Sequence, residues 1–210
     1  LHAVVGHPLD MVLKTIASIN ADLLMIGAFG EGGPGRGASA FSTKCTRRCP
    51  INVLLVHEYW PHAMSAVLAC IDFSDYSNQV ADQAAGIAAM FGAKLILVHA
   101  HSNPFDVFHW GASPIVGLTD EYAQYKLSLK RHLETIAEGI GKRHNGLVVE
   151  SELIFGVDYT KALLARVKKA DADVVVLGAK GKSKLSYVLL GSTTEKMLRD
   201  TDLSVLTVRQ

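Results

Sequence analysis

Apolar residues in this chain fall into short blocks, and between the blocks they recur at helical spacing. The blocks "AVLACID" (Ala66 to Asp72), "KLILVHA" (Lys94 to Ala100), "LVVESELIFG" (Leu147 to Gly156), "DVVVLG" (Asp173 to Gly178) and "LSVLTV" (Leu203 to Val208) predict five strands. After the first block, Val80, Ala84, Ile87, Ala88 and Phe91 form a helical stripe. Ser74 or Asp75 is the expected cap of that helix and Gly92 its stop. Further helices are expected from about Thr119 to His144, from Asp158 to about Ala170, and from Gly191 onward. Strands alternating with helices predict an α/β fold: a doubly wound, parallel, five-stranded sheet covered on both faces.

The same pattern occurs twice. "NADLLMIGAFG" (Asn20 to Gly30) and "DADVVVLGAKG" (Asp171 to Gly181) both run Ala-Asp, four apolar residues, Gly, two residues, Gly. "PINVLLV" (Pro50 to Val56) then answers "DLSVLTV" (Asp202 to Val208) in the same order with a slip of one residue. Two copies of one domain-sized unit are expected, not a short-period solenoid. The second copy, residues 63–210, looks complete, whereas the first, residues 1–58, starts near the third strand with "HAVVG" and carries strands three to five only. Three strands and two helices leave a sheet edge and apolar faces bare. A fragment of a longer chain, or completion by a swapped partner, would explain that; both remain open at this level. Trp60-Pro61 is expected to begin the linker.

Composition narrows the function classes. The chain has 210 residues, 49% hydrophobic and 20% charged, with formal net charge +1. Such a balance gives no general attraction to nucleic acid or to an anionic membrane. No apolar run approaches the roughly 20 residues of a membrane span, and the first ten residues lack a signal-peptide pattern. The three cysteines, Cys45, Cys49 and Cys70, argue against a disulfide framework and for a reducing compartment, so a cytoplasmic location is expected. Cys45 and Cys49 would share a helix face but have no zinc-finger partners, and are read as ordinary small residues. His99 and His101 alternate at a strand end, an awkward pair for one metal, and are read as structural. No metal site is expected.

The glycines carry the chemistry. Gly178 ends an apolar run, Gly181 lets the loop turn, and Gly191, Ser192 and Thr193 open a helix. In a doubly wound sheet, ligands bind beyond the carboxyl ends of the strands. A glycine there admits a ligand close to the backbone. A helix start offers bare N–H groups and the positive end of the dipole, which suit an anion. Ser192 and Thr193 add hydroxyls, and Lys180 and Lys182 add charge, so the set suits a di- or triphosphate. Asp72 and the backbone of Ala100, at two other strand ends, suit an exocyclic amine or ribose and a purine edge. Neither the Walker A loop nor the dinucleotide fingerprint fits, the first because Val176 stands where its leading glycine belongs.

The spacing Gly178, Gly181, Gly191, Ser192 resembles the motif of the ATP-binding branch of the universal stress protein family. "ACIDFSDYS" (Ala69 to Ser77) resembles that family's first strand with its adenine-side Asp, here Asp72, and "LVHA" resembles its second, where Ala100 would touch adenine. The resemblance covers about residues 63–210, and 1–57 more weakly. It implies the adenine nucleotide α-hydrolase-like fold, with ATP, with or without magnesium, held by Asp72, Ala100, Leu177, Gly178, Lys180, Gly181, Gly191, Ser192 and Thr193. It also implies pairing of last strands: Ile51–Val56 beside Leu203–Val208 as an intrachain pseudo-dimer, with a homodimer as a further option. The expected role is regulatory, in stress survival, through nucleotide-dependent partner or dimer contacts. A slow ATPase or self-phosphorylating protein with Ser192 or Thr193 as acceptor is the enzyme alternative, and a nucleotide-independent scaffold is the third.

The first copy departs from the motif. It keeps Gly27 and Gly30, but Ser39-Ala40-Phe41 aligns with Gly191-Ser192-Thr193, and Phe41 would crowd a phosphate, so this copy is expected not to bind. Machinery for fast phosphoryl transfer is not visible: Glu195, one turn past Ser192, is expected to offset the helix dipole. The aromatic loop Asn103 to Gly117 is expected to pack on the other copy or to act as a lid.

Overall fold

The computed structural model describes residues 3–29, 38–57, 60, 62–101, 118–156, 158–169, 171–180 and 190–209. The loop Asn103 to Gly117, Lys182 and Gly181 lie outside them, as do Gly30 and most of the glycine-rich loop after it.

The apolar blocks at Ala66–Cys70, Val174–Gly178 and Ser204–Val208 form strands with both faces covered. In chain order the elements are α1 (Pro8–Ser18), β1 (Leu23–Gly27), α2 (Ala40–Arg48), β2 (Asn52–Val56), β3 (Ala66–Cys70), α3 (Ser77–Phe91) and β4 (Lys94–His101). They continue with α4 (Leu118–Arg143), β5 (Val149–Phe155), α5 (Tyr159–Lys169), β6 (Val174–Gly178), α6 (Ser192–Asp200) and β7 (Ser204–Val208). All seven strands join one sheet in the order β1-β2-β7-β6-β3-β4-β5. Every pairing is parallel except β2 with β7. The sheet is therefore α/β and doubly wound, as the alternation predicts, but seven strands wide.

Two apolar layers sandwich it. Val80, Ala84 and Ala88 of α3 and Leu133 and Ile140 of α4 pack on one face. Ile16 of α1, Leu163 and Val167 of α5 and Met197 and Leu198 of α6 pack on the other. Gly92 ends α3 in the left-handed conformation, φ 64°, as its position predicts.

The antiparallel seam has two-fold character. Leu54 faces Leu206, Val53 faces Thr207 and Leu55 faces Val205. The Arg209 amide donates to Asn52 Oδ1 (2.8 Å), and the His57 amide donates to Ser204 Oγ (3.2 Å). Arg209 also crosses the seam, its Nη2 donating to the carbonyls of Thr46 (2.5 Å) and Arg47 (2.7 Å) at the end of α2. The expected contact between the last strand of each half is thus present within one chain.

The first half is barer than the second. Leu23 and Met25 are 45% and 55% exposed, while Val174 and Val176, which match them in sequence, are fully buried under α3. No described helix covers that face of β1. The expected strand at "HAVVG" is absent from the sheet: residues 3–7 form no strand, and Val5 is fully exposed. The physical reason is pairing. In the second half β5 is held by β4 alone, and the first half has no counterpart of β4 to hold such a strand.

Candidate functional site

Three strands end at one rim. β3 ends at Cys70, and the Ile71 amide then donates to the Val98 carbonyl (2.8 Å). That bond shows which edge of β4 Val98 turns toward β3. Ala100, two residues on, turns its own N–H and C=O the same way. There β3 has already ended, so this edge of Ala100 opens into the site.

Asp72 sits on the turn beyond β3. Its Oδ1 accepts from the Ser74 amide and the Ser77 hydroxyl, both at 3.0 Å. The expected cap at Ser74 or Asp75 is not what starts α3: the N-cap position is Tyr76, with no side-chain cap, and the Asp72 carboxylate organises the turn instead. The next residue, Phe73, has φ 57°, a left-handed backbone that a bulky residue seldom adopts. Its ring lies between His99 (centroids 4.1 Å apart) and His132 (4.5 Å, interplanar 10°). The stack holds the turn that aims Asp72. His99 Nδ1 lies 2.7 Å from the Ile71 carbonyl, so with that nitrogen protonated the buried ring donates to it. His99 and His101, expected to alternate, lie on one face with rings stacked 6.2 Å apart, because residues two apart on a strand share a face. No group of three or more metal-ligating side chains occurs among the described residues.

β6 and α6 make the opposite wall. The Gly191 amide donates to the Ala179 carbonyl (2.8 Å), and Thr194 Oγ1 donates to the Gly178 carbonyl (2.8 Å). Helix start and strand tip are thereby tied face to face. A Cβ on Gly178 would lie 2.9 Å from the Lys180 carbonyl oxygen, so the chain needs glycine there to turn so sharply. Gly191 is the N-cap of α6 and brings no side chain to its first turn. The amides at that turn stay available to a ligand.

Between these walls lies a cavity of about 440 Å³. Asp72, Ala100, Leu177, Gly178, Lys180, Gly191, Ser192 and Thr193 all line it. Only Gly181 of the expected set is not placed, being outside the described residues. Asp72 is the one carboxylate on the lining among the described residues, so the cavity has an accepting end and, at α6 and Lys180, a donating end. Burial pushes the Cys70 thiol up to about 12, so the cysteine on this wall stays neutral. Sequence reasoning missed Tyr76, Tyr125, Tyr159 and His101 on the lining. No spacing links Tyr125 on α4 to Tyr159 at the start of α5; only the crossovers bring them together.

Residues 27–56 repeat the hydrogen bonds of this frame. The Ala28 amide donates to Val56 as the Ala179 amide does to Val208, the Ser39 amide to Ala28 as Gly191 to Ala179, and the Ser42 hydroxyl to Gly27 as Thr194 to Gly178. Ser39, however, caps α2, its hydroxyl accepting from the Ser42 amide at 3.1 Å. Across the halves Arg47 pairs with Glu195 Oε1 (2.5 Å), so Glu195 meets an arginine as well as the α6 dipole.

A doubly wound sheet, parallel but for one pairing, with a glycine-framed helix start at its carboxyl rim defines an α/β domain. The model of the universal stress protein family matches residues 64–209. The chain belongs to that family. A universal stress protein of Methanocaldococcus jannaschii is 29% identical over 143 residues, covering 66% of this chain and 78% of its own. One of Mycobacterium bovis is 28% identical over 198 residues, 92% of this chain and 63% of its own; the chain thus spans less than two thirds of that relative. A solved universal stress protein of Archaeoglobus fulgidus has the same fold: TM-score 0.62 at 20% identity, over 97% of this chain and 65% of that one. No helix among the described residues is long and apolar enough to cross a membrane.

Proposed function

We propose that this chain is an ATP-binding regulator of the stress response, of the tandem type, with one binding half (residues 63–210) and one non-binding half (1–58). The observation that carries the reading is the uncapped start of α6, held against the tip of β6 across a cavity whose other end is Asp72 and the open edge of Ala100. Amides of Ser192, Thr193 and Thr194, with the Ser192 and Thr193 hydroxyls and Lys180, meet the phosphates. Gly181 belongs to the same loop by its spacing. Gly178 and Leu177 floor the middle, the Ala100 backbone reads the purine edge, and Asp72 accepts from the base or ribose. Magnesium would ride on the phosphates.

The matching hydrogen bonds of the two halves, and Leu54 facing Leu206 across the seam, support the tandem reading. Arg47–Glu195 and the Ala38 amide on the Leu198 carbonyl (2.8 Å) fasten α6 to the first half. A ligand at the α6 start therefore bears on the contact between halves, which is how occupancy would reach a partner surface. Fast phosphoryl transfer needs a metal-holding carboxylate and a positioned nucleophile; among the described residues Asp72 alone offers a carboxylate on the lining, and its Oδ1 is engaged by Ser74 and Ser77, which favours regulation over turnover.

The test is ATP and GTP titration of wild type and Asp72→Ala. Loss of the carboxylate is expected to cost about 1–2 kcal/mol, roughly five- to thirtyfold in ATP affinity. Asp72 also holds the Ser74–Ser77 turn, so a melting curve accompanies the titration. Unchanged ATP and GTP affinities in a folded variant would sink the base-side assignment; no ATP binding by wild type would sink the function.

A further inference from the structure

At its β4 side the cavity between β3, β6 and α6 meets two aromatic rings. Tyr125 of α4 and Tyr159 of α5 both line it, and each is close to half exposed, 43% and 40%.

The two rings come from opposite faces of the sheet. α4 packs through Leu133 and Ile140 on the face that carries Leu95 and Leu97. α5 packs through Leu163 and Val167 on the face that carries Ile96, Val98 and Ala100. Side chains alternate along β4, so His101 belongs to the α4 face. The Tyr125 ring stands edge-on to His101, with centroids 5.1 Å apart. His101 in turn meets Phe155, its partner in the β4–β5 register, at 6.4 Å. Tyr125 is thereby set against the last residue of β4. Tyr159 opens α5, one turn before Leu163, which is buried and lines the same cavity. The open backbone edge of Ala100 lies in the plane between the two layers.

That placement fixes how a flat ring would sit. The N–H and C=O of Ala100 point within the plane of the sheet. A ring whose edge bonds to them lies near that plane, so its two faces look toward the two helical layers, one to Tyr125 and the other to Tyr159. Half-bare aromatic rings gain by covering such faces, through buried apolar area and stacking.

We propose that Tyr125 and Tyr159 form an aromatic clamp that holds the base of a bound nucleotide by its two faces at the end of β4. The clamp rests on the ATP reading of this cavity and adds to it a source of affinity separate from the phosphates. Every base has a π-face, so the clamp holds bases in general, and the choice among them stays with Asp72 and the Ala100 edge.

The experiment is calorimetric titration of ATP, and of inorganic tripolyphosphate as a tail without a base, into wild type and Tyr125→Ala, Tyr125→Phe, Tyr159→Ala and Tyr159→Phe. Both residues are half exposed, so the variants are expected to fold, and a thermal melt accompanies each. Each alanine variant is expected to bind ATP at least about fivefold more weakly, each phenylalanine variant within about twofold of wild type, and all five proteins to bind tripolyphosphate alike. The alanine–phenylalanine difference decides by itself should tripolyphosphate bind too weakly to measure. Wild-type ATP affinity in either alanine variant, losses in the phenylalanine variants as large as in the alanine ones, or a matching loss of tripolyphosphate overturns the clamp and leaves the ATP reading standing. No ATP binding by wild type overturns both, so the two failures are distinguishable.

Discussion

Gly191→Asp is expected to lower ATP affinity by at least roughly a hundredfold while leaving the protein folded. Gly191 has φ −66° and ψ 147°, an extended backbone open to any residue, so the substitution carries no conformational penalty. Asp is also among the best N-caps. Its carboxylate would accept from the same first-turn amides that a phosphate needs, and would place negative charge where the phosphate must stand. The start of α2 shows the same capping in a milder form: Ser39 at the equivalent place occupies the Ser42 amide. Calorimetric titration reads the affinity, and a thermal melt reads the fold, with the midpoint expected to hold or rise. Wild-type affinity in the variant would mean that the start of α6 does not hold the phosphates.

The second large effect concerns stability. Leu68→Ala is expected to destabilise by about 2–5 kcal/mol and lower the melting midpoint by roughly 5–15 °C. Leu68 is fully buried in β3, between β4 and β6, in the apolar layer shared with Val98, Val175 and Leu177. The sheet on both sides limits collapse into the space left behind. Met25→Ala, on the bare face of β1, is expected to change stability by no more than about 0.5 kcal/mol. Comparable losses at both sites would show that β1 is covered as well as β3 is.

Much of this was legible because the apolar blocks are short, bounded and repeated. The offset of "NADLLMIG" against "DADVVVLG" leads to the β2–β7 seam, and the glycine spacing leads to the wall formed by β6 and α6. What failed depended on neighbours. "HAVVG" reads as a strand by composition, yet a strand exists only where another can bond to it. Ser74 and Asp75 have capping side chains, but Asp72 takes the turn's donors first. The pairing of Glu195 with Arg47 joins residues far apart in sequence, and Tyr125 and Tyr159 reach the cavity from separate helices. The shared orientation of His99 and His101 was open to the two-residue period of a strand and needed no structure to find.

The β2–β7 contact has a consequence for concentration. Two separate chains joined along such strands would come apart on dilution, whereas a covalent linker keeps the two edges at an effective concentration on the order of millimolar. The contact between halves therefore persists however scarce the protein is. A signal carried through it would depend on the ligand level and not on how much of the protein the cell makes.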